Sequence, residues 1–375
     1  MRVYFDNAAT TPIHPEVQNV MKAAIDNYFG NPSSIHKEGR SVRAAIEQAR
    51  KTVANYLNAS IGEIFFTSGG TEANNMALKR SVQDLGVQRI ITSPIEHHCI
   101  LHTVESLEKE RNITIEYIKI NQKGCFDLEN LEALLANSQQ KTLVSLMHAN
   151  NEIGTVCNMQ AIADLCQKYD ALYHSDTVQT IGQMPIDVQA TKIDFLCGAA
   201  HKFYGPKGVG FIYINGDNAI KPFIDGGGQE RNMRAGTENV YGILGMAKAL
   251  ELCYENMEKN QTYIREIRNY MIEQLRANIP NIDFNGNYEV SFLPKVLSVA
   301  IPPSPKNEVL MFSLDIAGIA ASGGSACSSG VESRSHVLDA IQFDEEKIAV
   351  RFSFSTFNTK AEVDYVVEKL KGILK

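Results

Sequence analysis

"TLVSLMHANNEIGTVCNMQAIADLCQKYDALYHSD" (residues 142–176) is the stretch from which the fold class can be read. Residues 142–148 form an apolar, β-branched run of strand length, residues 159–169 have the pattern of an amphipathic helix, and residues 171–176 read as a second strand. A strand, a helix and a strand so closely spaced make a parallel βαβ unit. The alternation continues on both sides. "EIFF" (63–66), "RIITS" (89–93), "TIEYIKI" (114–120) and "IDFLCGA" (193–199) read as further strands, with helices at "TEANNMALKRSVQDL" (71–85) and "DLENLEALLA" (127–136). "KGVGFIYI" (207–214) follows the sixth of these strands too closely for a crossover helix and reads as an added antiparallel strand. The pattern predicts an α/β domain with a mostly parallel, seven-stranded, doubly wound sheet.

After about residue 255 the pattern changes to a long polar helix ("QTYIREIRNYMIEQLRANI", 261–279), the strand "KVLSVAI", a Gly/Ser-rich loop, the strand "KIAVRFSFS" and a last helix, "KAEVDYVVEKLKGILK". This predicts a smaller α+β domain. The expected division is 15–255 for the large domain, and 1–14 with 256–375 for the small one.

The 375 residues are 44% hydrophobic and 21% charged, enough for a large core, and the net charge is −7 with no Lys/Arg block. Direct nucleic-acid binding is therefore not expected. The seven cysteines (99, 125, 157, 166, 197, 253 and 327) are odd in number, scattered and without a Cys-x-x-Cys pair, so neither a disulfide framework nor a zinc ribbon is expected. No apolar run approaches the ~20 residues of a membrane span, and "MRVYFDNAATTP" has the character of neither a signal nor a transit peptide. The expectation is a cytoplasmic protein with no membrane contact.

Ligands of open α/β sheets gather at the carboxyl ends of the strands, and chemistry-bearing residues stand there in order. "EIFF" runs into Thr67-Ser-Gly-Gly-Thr-Glu72, where Gly70 and Thr71 open a helix; this serves equally as a helix cap or as an anion cradle. The next strand leads to His97, His98 and Cys99. The adjacency of His97 and His98 argues against a metal, although His98 and His102 are at helical spacing. Asn151 follows the fourth strand, Asp176 and Gln179 the fifth, and His201 and Lys202 the sixth. A buried aspartate requires a partner, and a protonated pyridine nitrogen is one; a lysine at a strand end is a candidate Schiff-base amine. Anion cradle, aspartate, ring-facing histidine and amine are together the parts that pyridoxal 5'-phosphate requires.

The chain resembles the cysteine desulfurases, among the class V aminotransferase-like, fold-type I pyridoxal-phosphate enzymes. The likeness rests on "YFDNAATTP" (4–12), "GNPSSIHKEGR" (30–40), "FTSGGTEANN" (66–75), "EHH" (96–98), "ANNEIGT" (149–155), "HKFYGPKGVG" (201–210), "GGGQERNMRAGTENV" (226–240), "SGGSACSSG" (322–330) and "RFSFS" (351–355). It implies a cofactor carried on Lys202, with Asp176 at the pyridine nitrogen, Gln179 at the ring oxygen, and His97 stacked on the ring and moving protons. Gly70, Thr71 and His201 hold the phosphate and Asn151 lies beside the cofactor. Thr237 reaches the phosphate of a neighbouring subunit, which implies a homodimer with shared sites. Arg351, assisted by Asn31, clamps the carboxylate of L-cysteine. Cys327, on its Gly/Ser-rich tether, attacks the substrate sulfur as a thiolate and carries it as a persulfide to a protein acceptor in iron–sulfur assembly or thiolation. No resident metal is implied, only transient contact of Cys327 with an iron–sulfur cluster during transfer.

The loop around Cys327 has the form of the long-loop group. The runner-up readings are a selenocysteine lyase, which goes with a short cysteine segment, and a class V aminotransferase, which has no use for Cys327. Three departures stand out: Ala199 where many members place a phosphate-binding serine, "DTVQ" for the commoner Asp-Ala-x-Gln, and Lys375 directly after the last helix, where some longer relatives carry a scaffold-docking tail.

Overall fold

The structure, a computed structural model, describes residues 1–323 and 335–374. Twelve strands occur among them: β1 (Val3–Tyr4), β2 (Ile64–Thr67), β3 (Arg89–Thr92), β4 (Thr114–Tyr117), β5 (Thr142–Ser145), β6 (Leu172–Asp176), β7 (Phe195–Ala199), β8 (Gly210–Ile214), β9 (Asp283–Phe284), β10 (Val296–Ile301), β11 (Ile319–Ala320) and β12 (Ile348–Ser353). A seven-stranded sheet runs in the order β2-β8-β7-β6-β5-β3-β4. The pairs β4–β3, β3–β5, β5–β6 and β6–β7 are parallel. β8 is antiparallel to both neighbours and lies between β7 and β2, so the added strand is internal to the sheet.

The apolar runs follow from this position. β2, β3, β5, β7 and β8 are buried at every residue because helices cover both faces, which leaves no place for polar alternation. β4, at the edge, is the polar and partly exposed "TIEY". On one side of the sheet, the helices Pro15–Asn27, Lys37–Leu57 and Val240–Glu255 pack on each other around Val42, Ile46, Val53, Ile243 and Leu250.

A second core gathers Val3 and Phe5 with Ile264, Met271, Leu297, Val299, Phe352 and Val366. Its sheet has β10 in the centre, antiparallel to β12 and β9, under the helices Met257–Asn278 and Lys360–Leu374. β1 pairs parallel with β11, and the chain then continues from the second core into the carboxyl end of the large sheet. No helix of the described residues is long and apolar enough to cross a membrane.

One segment shows what local strain requires. Glu230, Arg231 and Asn232 all adopt left-handed φ (46°, 56° and 65°), conformations costing about 1 kcal/mol or more each outside glycine. They are held from beneath: Arg50, 2% exposed, grips Glu230 through two bonds of 2.6 and 2.9 Å, and Glu230 also accepts from the Phe66 N–H at 2.7 Å. Arg231 is pinned by Glu47 at 2.6 Å. Removing the Glu230 charge leaves the buried Arg50 with the partly exposed Glu47, 3.1 Å from its Nε, as its remaining carboxylate partner. Glu230→Gln should therefore lower stability by about 3–5 kcal/mol, read as the denaturant midpoint, whereas Arg50→Met/Glu230→Gln should recover part of the loss.

Candidate active site

The carboxyl ends of β2, β3, β5, β6 and β7 open onto a cavity of about 350 Å³, lined by Gly70, Thr71, Asn74, His97, His98, Cys99, Met147, Asn151, Asp176, Gln179, Ala199, His201, Lys202 and Arg351 among others. It lies by the switch point of the sheet, where β3 and β5 are neighbours and the chain leaves β3 for β4 on one side and β5 for β6 on the other. Ten of the residues singled out in the sequence are brought together here: Gly70, Thr71, His97, Asn151, Asp176, Gln179, His201, Lys202, Arg351 and the substituted Ala199.

Each is set by its local chain. Gly70 begins the helix Gly70–Asp84, and a Cβ there would stand 2.6 Å from Val178 Cγ2, so only glycine lets the helix start this close to the β6 loop. Asp176 ends β6, and its Oδ1 accepts from the Val178 N–H at 2.9 Å, the local bond of an Asx turn. Beyond β7 the chain tightens into the 3-10 turn Ala200–Lys202. Lys202 Nζ there donates to the carbonyls of Ala8 (2.7 Å) and Ala9 (2.8 Å), on the segment arriving from the second core. His201 meets Thr10 Oγ1 at 3.3 Å, and burial beside Lys202, Lys207 and Lys295 takes it down to about 4, so it is neutral.

His97 caps the helix His98–Arg111, its Nδ1 accepting from the Cys99 N–H at 3.2 Å; burial pushes its pKa down, and the proton sits on Nε2. Gln179 Nε2 donates to Ala8 O at 3.0 Å and its Oε1 is buried without a partner among the described residues. Arg351, on β12, spends Nη1 on Asn151 O and Nη2 on Asp6 Oδ1, both at 2.9 Å, and its buried Nε has no partner among the described residues.

Two residues stand apart. Asn31 is exposed, its Oδ1 taken by the Ser33 N–H at 2.9 Å, and Thr237 is exposed in a separate recess of about 170 Å³ with Ser68, Gly208 and Arg234. Cys327 lies outside the described residues. Ala199 presents a methyl group 3.8 Å from where a Cβ on Gly70 would stand, so no hydroxyl reaches the helix start from that position. Among the described residues, no group of three or more His, Cys, Asp or Glu is placed to hold a metal.

Several contributors escaped the sequence reading. Asn74, one turn into the helix Gly70–Asp84, donates to Asp176 Oδ2 at 2.8 Å; its signal was its place four residues after Gly70 in "GTEANN". Asp6 accepts from Arg351 and from Ser322 Oγ at 2.8 Å. Lys295 is 2% exposed, its Nζ 3.5 Å from the Lys202 carbonyl, and burial with Lys202 nearby lowers it to about 7. A lysine opening an otherwise apolar strand was its signal.

The donor set can be tested against a ligand. An amine, a buried carboxylate, an amide with an orphaned oxygen and the N-terminus of a long helix suit a flat aromatic ring bearing an aldehyde, a ring nitrogen and a phosphate. Residues 3–366 match the class-V aminotransferase family. A "Cysteine desulfurase IscS" of Dictyoglomus turgidum is 42% identical, over 100% of this chain and 94% of that protein. Among solved structures, a "NifS-like protein" superposes with a TM-score of 0.91 at 37% identity, covering 100% of this chain and 99% of that one. "SspA in complex with cysteine" gives 0.81 at 30%, covering 96% and 100%. The chain belongs to the cysteine desulfurases of the class-V aminotransferase family. The family is pyridoxal-phosphate-dependent, its fold is fold-type I, and the donor set found here fits that cofactor.

In this desulfurase the lysine beneath the site carries a pH signature. The unfolded chain keeps the Lys295 proton up to the ordinary lysine range, whereas the folded protein releases it near 7. Over that window the unfolded state binds more protons, so this group's contribution to stability rises with pH. Lys295→Met should raise Tm most below about pH 7, with the gain shrinking towards the lysine range. Parallel Tm-against-pH curves for the two proteins would refute the assignment. Glu96, which burial raises to about 8, acts in the opposite sense but equally in both, and drops out of the difference.

Proposed function

We propose that this chain converts L-cysteine to L-alanine and leaves the sulfur as a persulfide on Cys327, for delivery to a protein acceptor. The observation that carries the reading is the convergence of Lys202, Asp176, Gln179, Arg351 and the Gly70 helix start on one cavity.

Lys202 would hold pyridoxal phosphate, with Asp176 for its ring nitrogen, Gln179 for its ring oxygen, Gly70, Thr71 and His201 for its phosphate, and Asn151 alongside. The bound cofactor supplies an electron sink for the substrate's Cα. Lys202 Nζ, positioned by two carbonyls, moves the proton at that carbon. Arg351 binds the substrate carboxylate through Nε and the remaining Nη hydrogens; Asp6 and Asn151 already fix the guanidinium plane, so little ordering remains to be lost on binding. His97, kept neutral by burial, exchanges the proton of the substrate thiol at Nε2. Cys327 attacks as thiolate: its S–S bond forms as the substrate C–S bond breaks, so cysteine and the enzyme thiol give alanine and the enzyme persulfide.

Thr237 and Asn31 open to solvent away from the cavity, which agrees with roles across a homodimer, Thr237 at the partner's phosphate and Asn31 at the partner's substrate. The six described cysteines are all free, in keeping with a reducing compartment, and the chain is read as cytoplasmic.

With free cysteine and a reductant, alanine and sulfide should appear in equal amounts, and Cys327→Ala should lose both. Alanine and sulfide from the Cys327→Ala protein at the wild-type rate would overturn the reading. Lys202→Ala should abolish the visible absorbance that survives gel filtration of the wild type. Arg351→Lys, which keeps the charge but loses the fork, should lower kcat/KM for cysteine by about 10- to 100-fold.

A further inference from the structure

Asp176 is met inside the protein by a line of hydrogen bonds whose directions can be assigned. Asn74 is fully buried; its Nδ2 lies 2.8 Å from Asp176 Oδ2 and 3.3 Å from Cys99 Sγ. Its Oδ1 lies 2.9 Å from Cys197 Sγ and 3.1 Å from His174 Nε2, and His174 Nδ1 lies 2.9 Å from Ser145 Oγ. A carboxylate only accepts, so Asn74 must turn Nδ2 towards Asp176 and Oδ1 towards His174. His174 must then carry its proton on Nε2 and accept at Nδ1 from the Ser145 hydroxyl. The reversed amide would set an oxygen against the carboxylate. All four bonding positions of Asn74 are thereby filled, as a stable buried network requires.

Every dipole in this line points its positive end at Asp176, yet no member is a cation. Burial takes His174 down to about 4, so it stays neutral at working pH. A cation in its place would neutralise Asp176 from within and weaken its hold on a proton across the cavity. An apolar residue in place of Asn74 would leave the carboxylate short of donors and draw the proton onto it.

We propose that Asn74 and His174 are positioning residues for Asp176, fixing its carboxylate with neutral donors so that the cation it pairs with is the cofactor's own ring nitrogen. This rests on the reading of Asp176 given above. The test uses holoenzyme reconstituted with ring-15N pyridoxal phosphate, read by the 15N shift of the ring nitrogen and by cofactor Kd. Asn74→Asp sets a second carboxylate against Asp176; the two share a proton, the ring nitrogen moves to its unprotonated shift, and Kd rises about tenfold or more. His174→Gln, which can still donate an amide N–H to Asn74, keeps the protonated shift and a Kd within about threefold of wild type.

A protonated shift and unchanged Kd in Asn74→Asp overturn the proposal while leaving the reading of Asp176 intact. A wild-type holoenzyme with an unprotonated ring nitrogen overturns both. Should Asn74→Asp not fold, the wild type decides: with 15N-histidine, and the His174 signals assigned by their loss in His174→Gln, a neutral Nε2–H ring supports the proposal. An Nδ1–H ring or an imidazolium at about pH 7 sinks it.

Discussion

A carboxylate held at the carboxyl end of a buried strand is the constraint on which the site depends. Asp176 is 7% exposed, and an anion so placed is tolerated only if donors surround it and a cation is within reach. The local donors explain much of the neighbouring architecture. The β6 turn must bend to bring the Val178 N–H to Oδ1, and the helix Gly70–Asp84 must pass close enough for Asn74 to reach Oδ2. That approach in turn excludes a side chain at Gly70. The same closeness frees the first N–H groups of the helix towards the cavity, so the feature that holds the carboxylate also prepares an anion site beside it.

The second constraint is the path of residues 3–11. Val3 and Phe5 are anchored in the second core, and Phe5 bonds to Ala320 and Ser353 through its backbone. Asn7 Nδ2 donates to Ser353 O at 2.8 Å, and two residues on, the carbonyls of Ala8 and Ala9 receive Lys202. Thr11 then bonds the His201 carbonyl at 2.8 Å through its N–H. A single segment, turning at residues 7–9, thus ties the strand carrying Arg351 to the turn carrying Lys202. The amine and the guanidinium belong to different cores, and their spacing is set by this segment.

The large sheet was legible because most of its strands are covered on both faces and therefore read as apolar runs; six of the seven strands lie within the stretches read from the sequence, and β2 runs one residue past its own, to Thr67. The place of β8 between β7 and β2 was not legible, since pairing order is a matter of which edge remains open and leaves no periodicity. The helices Lys37–Leu57 and Val240–Glu255 also went unread, the one too polar and the other too apolar to alternate cleanly; they pack on each other, and Val240–Glu255 packs on Pro15–Asn27 as well. At the site, residues at strand ends were found because strand ends were searched. Asp6, Asn74, His174 and Lys295 act through neighbours distant in sequence, and nothing in their own segments names those neighbours. The resemblance supplied Arg351 and Cys327, which composition and spacing alone would have left as a strand arginine and a loop cysteine.

The direction in which burial moves the titrating groups gives these details a common sense. Glu96 and Glu152 are raised; His97, His174, His201 and Lys295 are lowered. Each moves towards its neutral form, acids and bases alike, as a water-poor cavity wall requires. The protein around the cavity therefore interacts largely through hydrogen-bond dipoles, as behind the lining, where Ser93 and the Met147 N–H donate to Glu96, and Ser145 and Asn74 meet His174. The formal charges it retains are grouped in compensated sets, Arg351 with Asp6 and Asp176 with its ring of donors. An amino acid entering such a cavity meets the Arg351 guanidinium, already oriented by Asp6, as a partner for its carboxylate. Among the described residues that line the cavity, His97 and Lys202 stand on opposite sides of Asp176 in the strand order and are the groups placed to exchange protons with a substrate there.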